Sequence, residues 1–349
     1  MIKYIGSKRA LLPQILSAIG DAVPPGATVL DLFSGTARVG HALKGAGFRV
    51  VANDHNAYAH CLARCYVEAD AETWAEPARR CLADLARLAP RAGWFTATYC
   101  EDSRYFHPAN GERIEAIREG IAALGADPLL EAVLLTALME AADRVDSTAG
   151  LQMAYMKRWA PRALNPLELR LPALQPRPTA GPCHATAADA EAAAAATECD
   201  AAYLDPPYNQ HSYLGNYHVW ETLVRWDRPE VYGVARKRLD CRTRRSAFNG
   251  KSSIGPALRR TVEALRCPVI VLSFNDEGHL TREAVLDILG ARRHLRVLEI
   301  PYGRYVGAKI GIHNLKGEKV GTVGRLTNTE YLFVASDRPL ALGKGAVAA

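Results

Sequence analysis

Short apolar runs along the chain are each followed at once by polar or turn-forming residues. They cover residues 28–33, 49–52, 200–204 and 268–275. Their length and their lack of polar alternation are typical of strands that are buried on both faces of a sheet. Because helical patterns separate several of these runs, we predict an open α/β sheet that carries polar side chains where its strands end.

The middle of the chain has a different pattern, in which apolar residues recur at helical spacing from residue 59 to residue 179. We predict that Asn110 caps a helix ending at Gly125, and that Asp127 and Pro128 begin the next helix. The α/β pattern then resumes, which indicates an insertion. The predicted units are a catalytic domain made of residues 1–60 and 180–336, a helical insertion at residues 61–179 and a flexible tail at residues 337–349.

Composition narrows the class of protein. The 349 residues are 49% hydrophobic, which is ample for a sizeable core. No apolar run has the length of a membrane span or of a signal peptide, so we expect a cytoplasmic protein with no membrane partner. The eight cysteines are scattered without a Cys-x-x-Cys pair, so we expect no metal site.

The stretch around the first predicted strand suits an adenosine cofactor. The strand runs into Ser34-Gly35-Thr36, a helix follows, and a second strand delivers Asp54. This is the spacing at which an acid binds ribose hydroxyls. The turn lacks a Gly-x-Gly-x-x-Gly pattern, and Asp31 would repel a phosphate and attract an ammonium group. S-adenosylmethionine therefore fits better than NAD.

A second candidate site follows the strand at residues 200–204. Asp205-Pro206-Pro207-Tyr208 stops that strand, because proline cannot continue either a helix or a central strand. The stretch presents a carboxylate, carbonyl groups and an aromatic face to the sheet edge, which suits an amino group on a planar ring. The alternatives at this point are a polar turn and a polyproline ligand for another protein.

The net charge of +6 favours a polyanionic partner, and basic residues crowd into residues 236–260. Basic and aromatic side chains also alternate at two places in the insertion. Such residues suit phosphate contact and base stacking, while solvated faces and interdomain surfaces are the alternatives. The candidate DNA contacts are Arg104, Tyr105, Lys157, Arg158, Trp159, Arg242, Arg244, Arg245 and Lys251.

Taken in order, these motifs resemble the Dam-like, class alpha DNA adenine methyltransferases. The resemblance rests on Lys3-Tyr4-x-Gly6-x-Lys8, the turn from Asp31 to Thr36, then Asp54, and finally the Asp205-Pro-Pro-Tyr208 loop. Each motif is common by itself, but the ordered set is specific and spans most of residues 1–335. The family places its target-recognition domain where the helical insertion falls.

The resemblance implies a Rossmann-like, S-adenosylmethionine-dependent sheet and assigns roles to single residues. Asp205 and the Pro206 carbonyl would accept the amino hydrogens of an adenine flipped out of double-stranded DNA, on which Tyr208 would stack. Tyr302 or Tyr305 would cover the other face of that base. The cofactor would be held by Tyr4, Lys8, Asp31, Phe33, Ser34, Gly35, Thr36, Asp54 and Asp189.

Other functions are compatible with the same residues. The same loop would serve cytosine N4 or adenine in RNA, and a DNA-binding module that has lost catalysis is a third possibility. The survival of Asp31, Asp54 and Asp205 together favours an enzyme. We expect a monomer that acts on DNA, with a cognate restriction endonuclease as a possible partner.

Overall fold

A computed structural model describes residues 1–303, 312–313, 319–321, 327–340 and 347–348. In these ranges the helices are α1 Leu12–Ala22, α2 Arg38–Gly45, α3 Ala57–Ala63, α4 Ala71–Leu85, α5 Trp94–Thr96, α6 Pro108–Ala123, α7 Pro128–Arg144, α8 Ala190–Ala196, α9 Tyr213–Asn216, α10 His218–Arg225, α11 Ile254–Ala264 and α12 Arg282–Leu289. None of these helices is long and apolar enough to cross a membrane.

The strands of the described ranges form one large sheet and two small hairpins. They are β1 Thr28–Asp31, β2 Arg49–Asn53, β3 His184–Thr186, β4 Ala201–Leu204, β5 Val231–Tyr232, β6 Lys237–Arg238, β7 Val269–Asn275, β8 His294–Gly303, β9 Ile312–His313, β10 Lys319–Gly321, β11 Thr327–Ser336 and β12 Val347–Ala348. The large sheet has the order β12-β8-β11-β7-β4-β1-β2-β3.

The large sheet is parallel from β3 to β7 and antiparallel beyond. In register, Asp31 of β1 lies opposite Ala52 of β2 on one side and Tyr203 of β4 on the other. From β1 the chain builds outward in one direction through β2 and β3, and later in the other through β4 and β7. Ligands of open α/β sheets bind at such a reversal, outside the carboxyl ends of the strands.

Helices cover both faces of this sheet. Val29 and Leu30 are neighbours on β1, both fully buried, and they belong to two different hydrophobic clusters because successive side chains of a strand point to opposite faces. The larger cluster also contains Ile117 of α6 and Leu138 of α7. Helices α6 and α7, which lie in the predicted insertion, therefore share a core with one face of the sheet.

The helix starts in the insertion follow the sequence in one case and depart from it in another. Asp127 caps α7 as predicted, with its side chain accepting a hydrogen bond from Leu129 N at 2.8 Å. The prediction for Asn110 is wrong, because α6 already begins after His107. Asn110 lies inside α6, and its amide donates to the Ala163 carbonyl at 3.0 Å.

Several of the described strands were not predicted, among them β3, β5, β6 and β12. The short β3 follows a proline-rich stretch and extends the sheet beyond β2. β5 and β6 form a hairpin within the basic region. In the tail that we expected to be flexible, β12 pairs with β8, with Val347 opposite Val297.

Candidate active site

A first cleft lies at the carboxyl ends of β1, β2 and β4. The turn after β1 forms its floor, and Gly35 in that turn has a left-handed φ of 51°. A Cβ atom at Gly35 would approach the Tyr4 ring to 3.2 Å. Ser34, Gly35 and Thr36 therefore form a tight cradle beside an aromatic ring.

Asp31 is the most deeply buried acid of this cleft, with 1% of its surface exposed. Its Oδ2 accepts a hydrogen bond from Gly40 N at 2.9 Å. Burial raises the pKa of Asp31 to about 7, although the Gly40 bond opposes the shift. Among the described residues no ion pair involves Asp31, so the carboxylate suits a ligand that brings a positive charge.

Asp54 ties the turn after β1 to the turn after β2. Its Oδ2 accepts from Gly35 N at 3.1 Å and its Oδ1 from Asn56 N at 2.9 Å. Two backbone bonds leave further lone pairs on the carboxylate for ligand hydroxyl groups. Burial raises the pKa of Asp54, and the neighbouring His55 partly opposes this.

Asn53 closes the far side of the same region. Its side chain donates to the Leu32 carbonyl at 3.2 Å and to the Ala188 carbonyl at 3.1 Å, which fixes the segment leading to Asp189. Asp189 lines the cleft and caps α8 by accepting from Glu191 N. Sequence reasoning missed Asn53, although a polar residue that ends a buried strand was a usable signal.

Stacked tyrosine rings form part of another wall of the first cleft. The Tyr4 ring stacks on Tyr213 at 5.1 Å and on Tyr217 at 4.6 Å between centroids. The Tyr4 hydroxyl lies 3.1 Å from the hydroxyl of Tyr58. We did not predict a site role for Tyr213, which lines this cleft and the neighbouring one.

The N-terminal segment that carries Tyr4 is anchored to helices distant in sequence. Lys3 Nζ lies 2.8 Å from Asp146 Oδ1, just after α7. Ile5 N donates to the Tyr217 hydroxyl at 2.7 Å. This segment forms the wall between the first cleft and a second cleft, which is lined by Tyr208, Asn275 and Glu330 among others.

The two clefts meet at Lys8. Its Nζ lies 3.1 Å from Asp205 Oδ1 and 3.8 Å from Glu330 Oε2, and only 5% of its surface is exposed. Burial lowers the Lys8 pKa, but these two carboxylates outweigh burial and hold it well above its ordinary value. Burial raises the pKa of Asp205, and Lys8 opposes that shift.

The loop after β4 places its aromatic residue in the second cleft. Asp205 lines the first cleft, Tyr208 lines the second, and Pro207 lines both. The Tyr208 ring lies 5.5 Å from the Phe274 ring, and Lys8 Nζ lies over it at 5.7 Å. The predicted catalytic residues thus stand between the two clefts. Of the residues expected to cover the other face of a base, Tyr305 and the side chain of Tyr302 lie outside the described part.

Most candidate DNA contacts in the insertion are accessible. Arg104, Lys157 and Arg158 are exposed, and Trp159 packs edge-on against His107. Arg104 donates to the Lys157 carbonyl, so the two predicted clusters adjoin.

Tyr105 is a correction to the predicted set of DNA contacts. It is fully buried, and its hydroxyl lies 2.7 Å from the Gln152 carbonyl oxygen and 2.8 Å from the Ala235 carbonyl oxygen, so that it can donate its single hydrogen to either. Its ring also packs against His218 and Tyr155. Direct contact with DNA is therefore excluded for Tyr105, which instead fixes the hairpin of β5 and β6 to the core.

The candidate DNA contacts of the basic region also include both exposed and paired side chains. Arg245 and Lys251 are exposed, and the Arg242 guanidinium stacks over Tyr232 at 4.1 Å. Arg244 instead binds the buried Glu221 at 2.9 Å and lines the cofactor cleft. The Arg244 side chain is 32% exposed and its charge is already paired, so its contact with DNA stays a prediction.

A mainly parallel, Rossmann-like sheet carries an acid-lined cleft and the Asp205-Pro206-Pro207-Tyr208 loop at its carboxyl edge, which is the arrangement of an S-adenosylmethionine-dependent methyltransferase fold. The model for D12 class N6 adenine-specific DNA methyltransferases matches residues 4–254. The chain belongs to this family.

Relatives with known names agree with this assignment. Type II methyltransferase M.NlaIII of Neisseria lactamica is 30% identical over 90% of this chain and 96% of its own length. Type II methyltransferase M.FokI of Planomicrobium okeanokoites is 29% identical over 87% of this chain. Modification methylase StsI of Streptococcus sanguinis is 27% identical, also over 87%. The chain spans about half the length of the last two, 50% and 49% respectively.

Proposed function

We propose that this chain transfers a methyl group from S-adenosylmethionine to N6 of adenine at a specific site in double-stranded DNA. The observation that carries the proposal is the position of the Asp205 loop, where an adenosine-type cleft meets a second cleft that holds Tyr208. A methyl donor and an amino acceptor would face each other at that point.

The donor set of the first cleft fits the cofactor group by group. Asp31 is a buried carboxylate placed for an ammonium group, and Asp54 has lone pairs left for ribose hydroxyls. Asp189 stands at the far end, where it would accept from the adenine amino group. When bound, S-adenosylmethionine supplies an electrophilic methyl group; Tyr4 and the cradle at residues 34–36 would orient it.

The second cleft would receive the target base. An adenine amino group is a weak nucleophile because its lone pair is delocalised into the ring. Asp205 and the Pro206 carbonyl would accept its two hydrogens, which favours a tetrahedral nitrogen and frees the lone pair for in-line attack. The base must leave the duplex to reach them, and Tyr208 would stack on it.

DNA would be held by the predicted helical insertion at residues 61–179 and by the basic region. Asp102, two residues before Arg104, pairs with Arg236 of the hairpin at 3.1 Å, so the two surfaces are in contact. The relatives carry the names of type II methyltransferases and modification methylases. We therefore extend the proposal to a cognate restriction endonuclease as a partner of a monomeric enzyme.

The test is to express the chain in a host without DNA methylation and to identify the modified base by nucleoside digestion and the site by single-molecule sequencing. N6-methyladenine at one sequence is expected, whereas N4-methylcytosine or methylation of RNA would replace the proposal. In the purified protein, Asp205→Ala should retain cofactor binding and lose transfer by about a hundredfold or more. Transfer at the wild-type rate would contradict the role of Asp205.

A further inference from the structure

Glu330 carries a buried carboxylate to which nothing above gives a role. It lies on β11 opposite Asn275 of β7, at the edge of the second cleft, with 6% of its surface exposed. Its Oε2 has no hydrogen-bond partner within the described part of the chain. A buried carboxylate oxygen without a hydrogen bond is costly, so its position requires a reason.

The cation beside this oxygen is Lys8, at 3.8 Å, while the same ammonium lies 3.1 Å from Asp205. In this arrangement Lys8 occupies an oxygen of the carboxylate that would have to accept the target amino group. A lysine ammonium donates strong, charge-assisted bonds to carboxylates. An amino group that approached this oxygen would therefore compete with Lys8 for it.

We propose that Glu330 is a positioning residue that takes over the Lys8 ammonium when the target base reaches Asp205. The inference rests on the proposed function. This step moves only the flexible Lys8 side chain, by a short distance within the site. No proton passes from one group to another. Lys8 stays paired throughout, so no uncompensated charge is left buried, which would cost several kcal/mol.

Glu330→Gln tests this directly, since it keeps the shape of the side chain and removes the charge. Among the described residues, Lys8 would then have only the Asp205 carboxylate beside it, and moving Lys8 away from Asp205 would become harder. We expect kcat/KM to fall by about tenfold to a hundredfold, the range that loss of one bond to a charged group produces. Flipping of a 2-aminopurine placed at the mapped target position should weaken, while cofactor affinity should stay unchanged.

A matched control removes a carboxylate from the adjacent strand. Glu299 on β8 is exposed and pairs with Arg282 outside the site, so Glu299→Gln should behave as the wild type. Glu330→Asp, which keeps the charge, should recover part of the lost activity. If Glu330→Gln matched Glu299→Gln in every assay, the inference would be overturned.

A double-mutant cycle shows whether Glu330 acts through Lys8. Lys8→Met lowers the starting activity, but it also removes the group that blocks Asp205. Adding Glu330→Gln to Lys8→Met should then have little further effect. An equal penalty with and without Lys8 would refute the handover and leave Glu330 a purely structural residue.

Two further outcomes separate this inference from the proposed function. If the wild type transfers no methyl group to DNA, the function itself fails; if it is active and Glu330→Gln is unaffected, only the handover fails. Thermal melts of both Glu330 variants accompany the kinetics. Loss of the folded state in both would assign Glu330 to stability and overturn the inference.

Discussion

Replacing Asp31 by asparagine should stabilise the ligand-free protein and weaken its hold on the cofactor. Asp31 is 1% exposed, and burial raises its pKa from the ordinary 3.8 to about 7. A carboxyl group whose pKa is raised by folding contributes stability that is fully present below pH 4 and is lost as the pH rises through 7. At pH 8 the charge therefore costs about 4 kcal/mol, at about 1.36 kcal/mol per pKa unit.

Asparagine keeps a neutral acceptor for Gly40 N, and the raised pKa of Asp31 already includes the opposing effect of that bond. The free energy of unfolding of Asp31→Asn should therefore exceed that of the wild type by about 4 kcal/mol at pH 8. At pH 5, where Asp31 is protonated in the folded protein, the gain should shrink to about 2 kcal/mol. Urea unfolding of the ligand-free protein at both pH values measures the difference.

The same variant should bind S-adenosylmethionine more weakly by about tenfold to a hundredfold in calorimetry, because the acceptor for the ammonium group loses its charge. Asp84→Asn is the control, since Asp84 is exposed on α4 and its loss should change neither quantity. An equal gain at the two pH values, or no gain, would refute the idea that Asp31 holds an uncompensated buried charge.

Three further changes test other parts of the site. Tyr208→Ala should reduce the fluorescence change of a flipped 2-aminopurine; an unchanged signal would remove Tyr208 from the stack. Neutralising Arg242 and Arg245 together should lower the slope of log affinity for DNA against log salt concentration by about two. An unaltered slope would mean that these two side chains are solvated and do not contact DNA. Gly40→Ala should destabilise the protein by about 1 to 3 kcal/mol, because the added Cβ would lie 3.0 Å from Asp31 Oδ2 and 2.9 Å from a valine methyl. Gly20→Ala on α1 is the control, since a Cβ there would meet no atom within 4 Å. Equal melting curves for the two variants would contradict this prediction.

The frame of the site was predictable because buried parallel strands deliver the residues that follow them to one sheet edge. Asp31 ends β1, Asp54 follows β2 and Asp205 follows β4, and the structure places all three around one cleft. The carboxyl ends of parallel strands must meet at that edge whatever the helices between them do. The first residue of a helix also depends on contacts with distant segments. Asn110 was wrongly predicted as a cap because its amide binds the Ala163 carbonyl from inside α6.

Contacts between segments that are distant in the sequence could not be predicted from the local pattern of residues. Tyr105 sits among basic and aromatic residues in the sequence, yet its hydroxyl partners are Gln152 and Ala235. No periodicity reveals that such a ring is buried. The pairing of Lys8 with Glu330 likewise depends on β11 entering the sheet beside β7, which strand composition does not specify.

The tether of the N-terminal segment has a consequence for recombining these enzymes. Lys3 is held beside α7 and Ile5 beside α10, while Lys8, a few residues on, touches Asp205. A chimaera that imported only residues 61–179 from a relative would replace Asp146 and so change the Lys3 contact, while the bond from Ile5 N to Tyr217 would remain. We therefore predict that residues 1–9 are best exchanged together with residues 61–179, although the two ranges are far apart in the sequence.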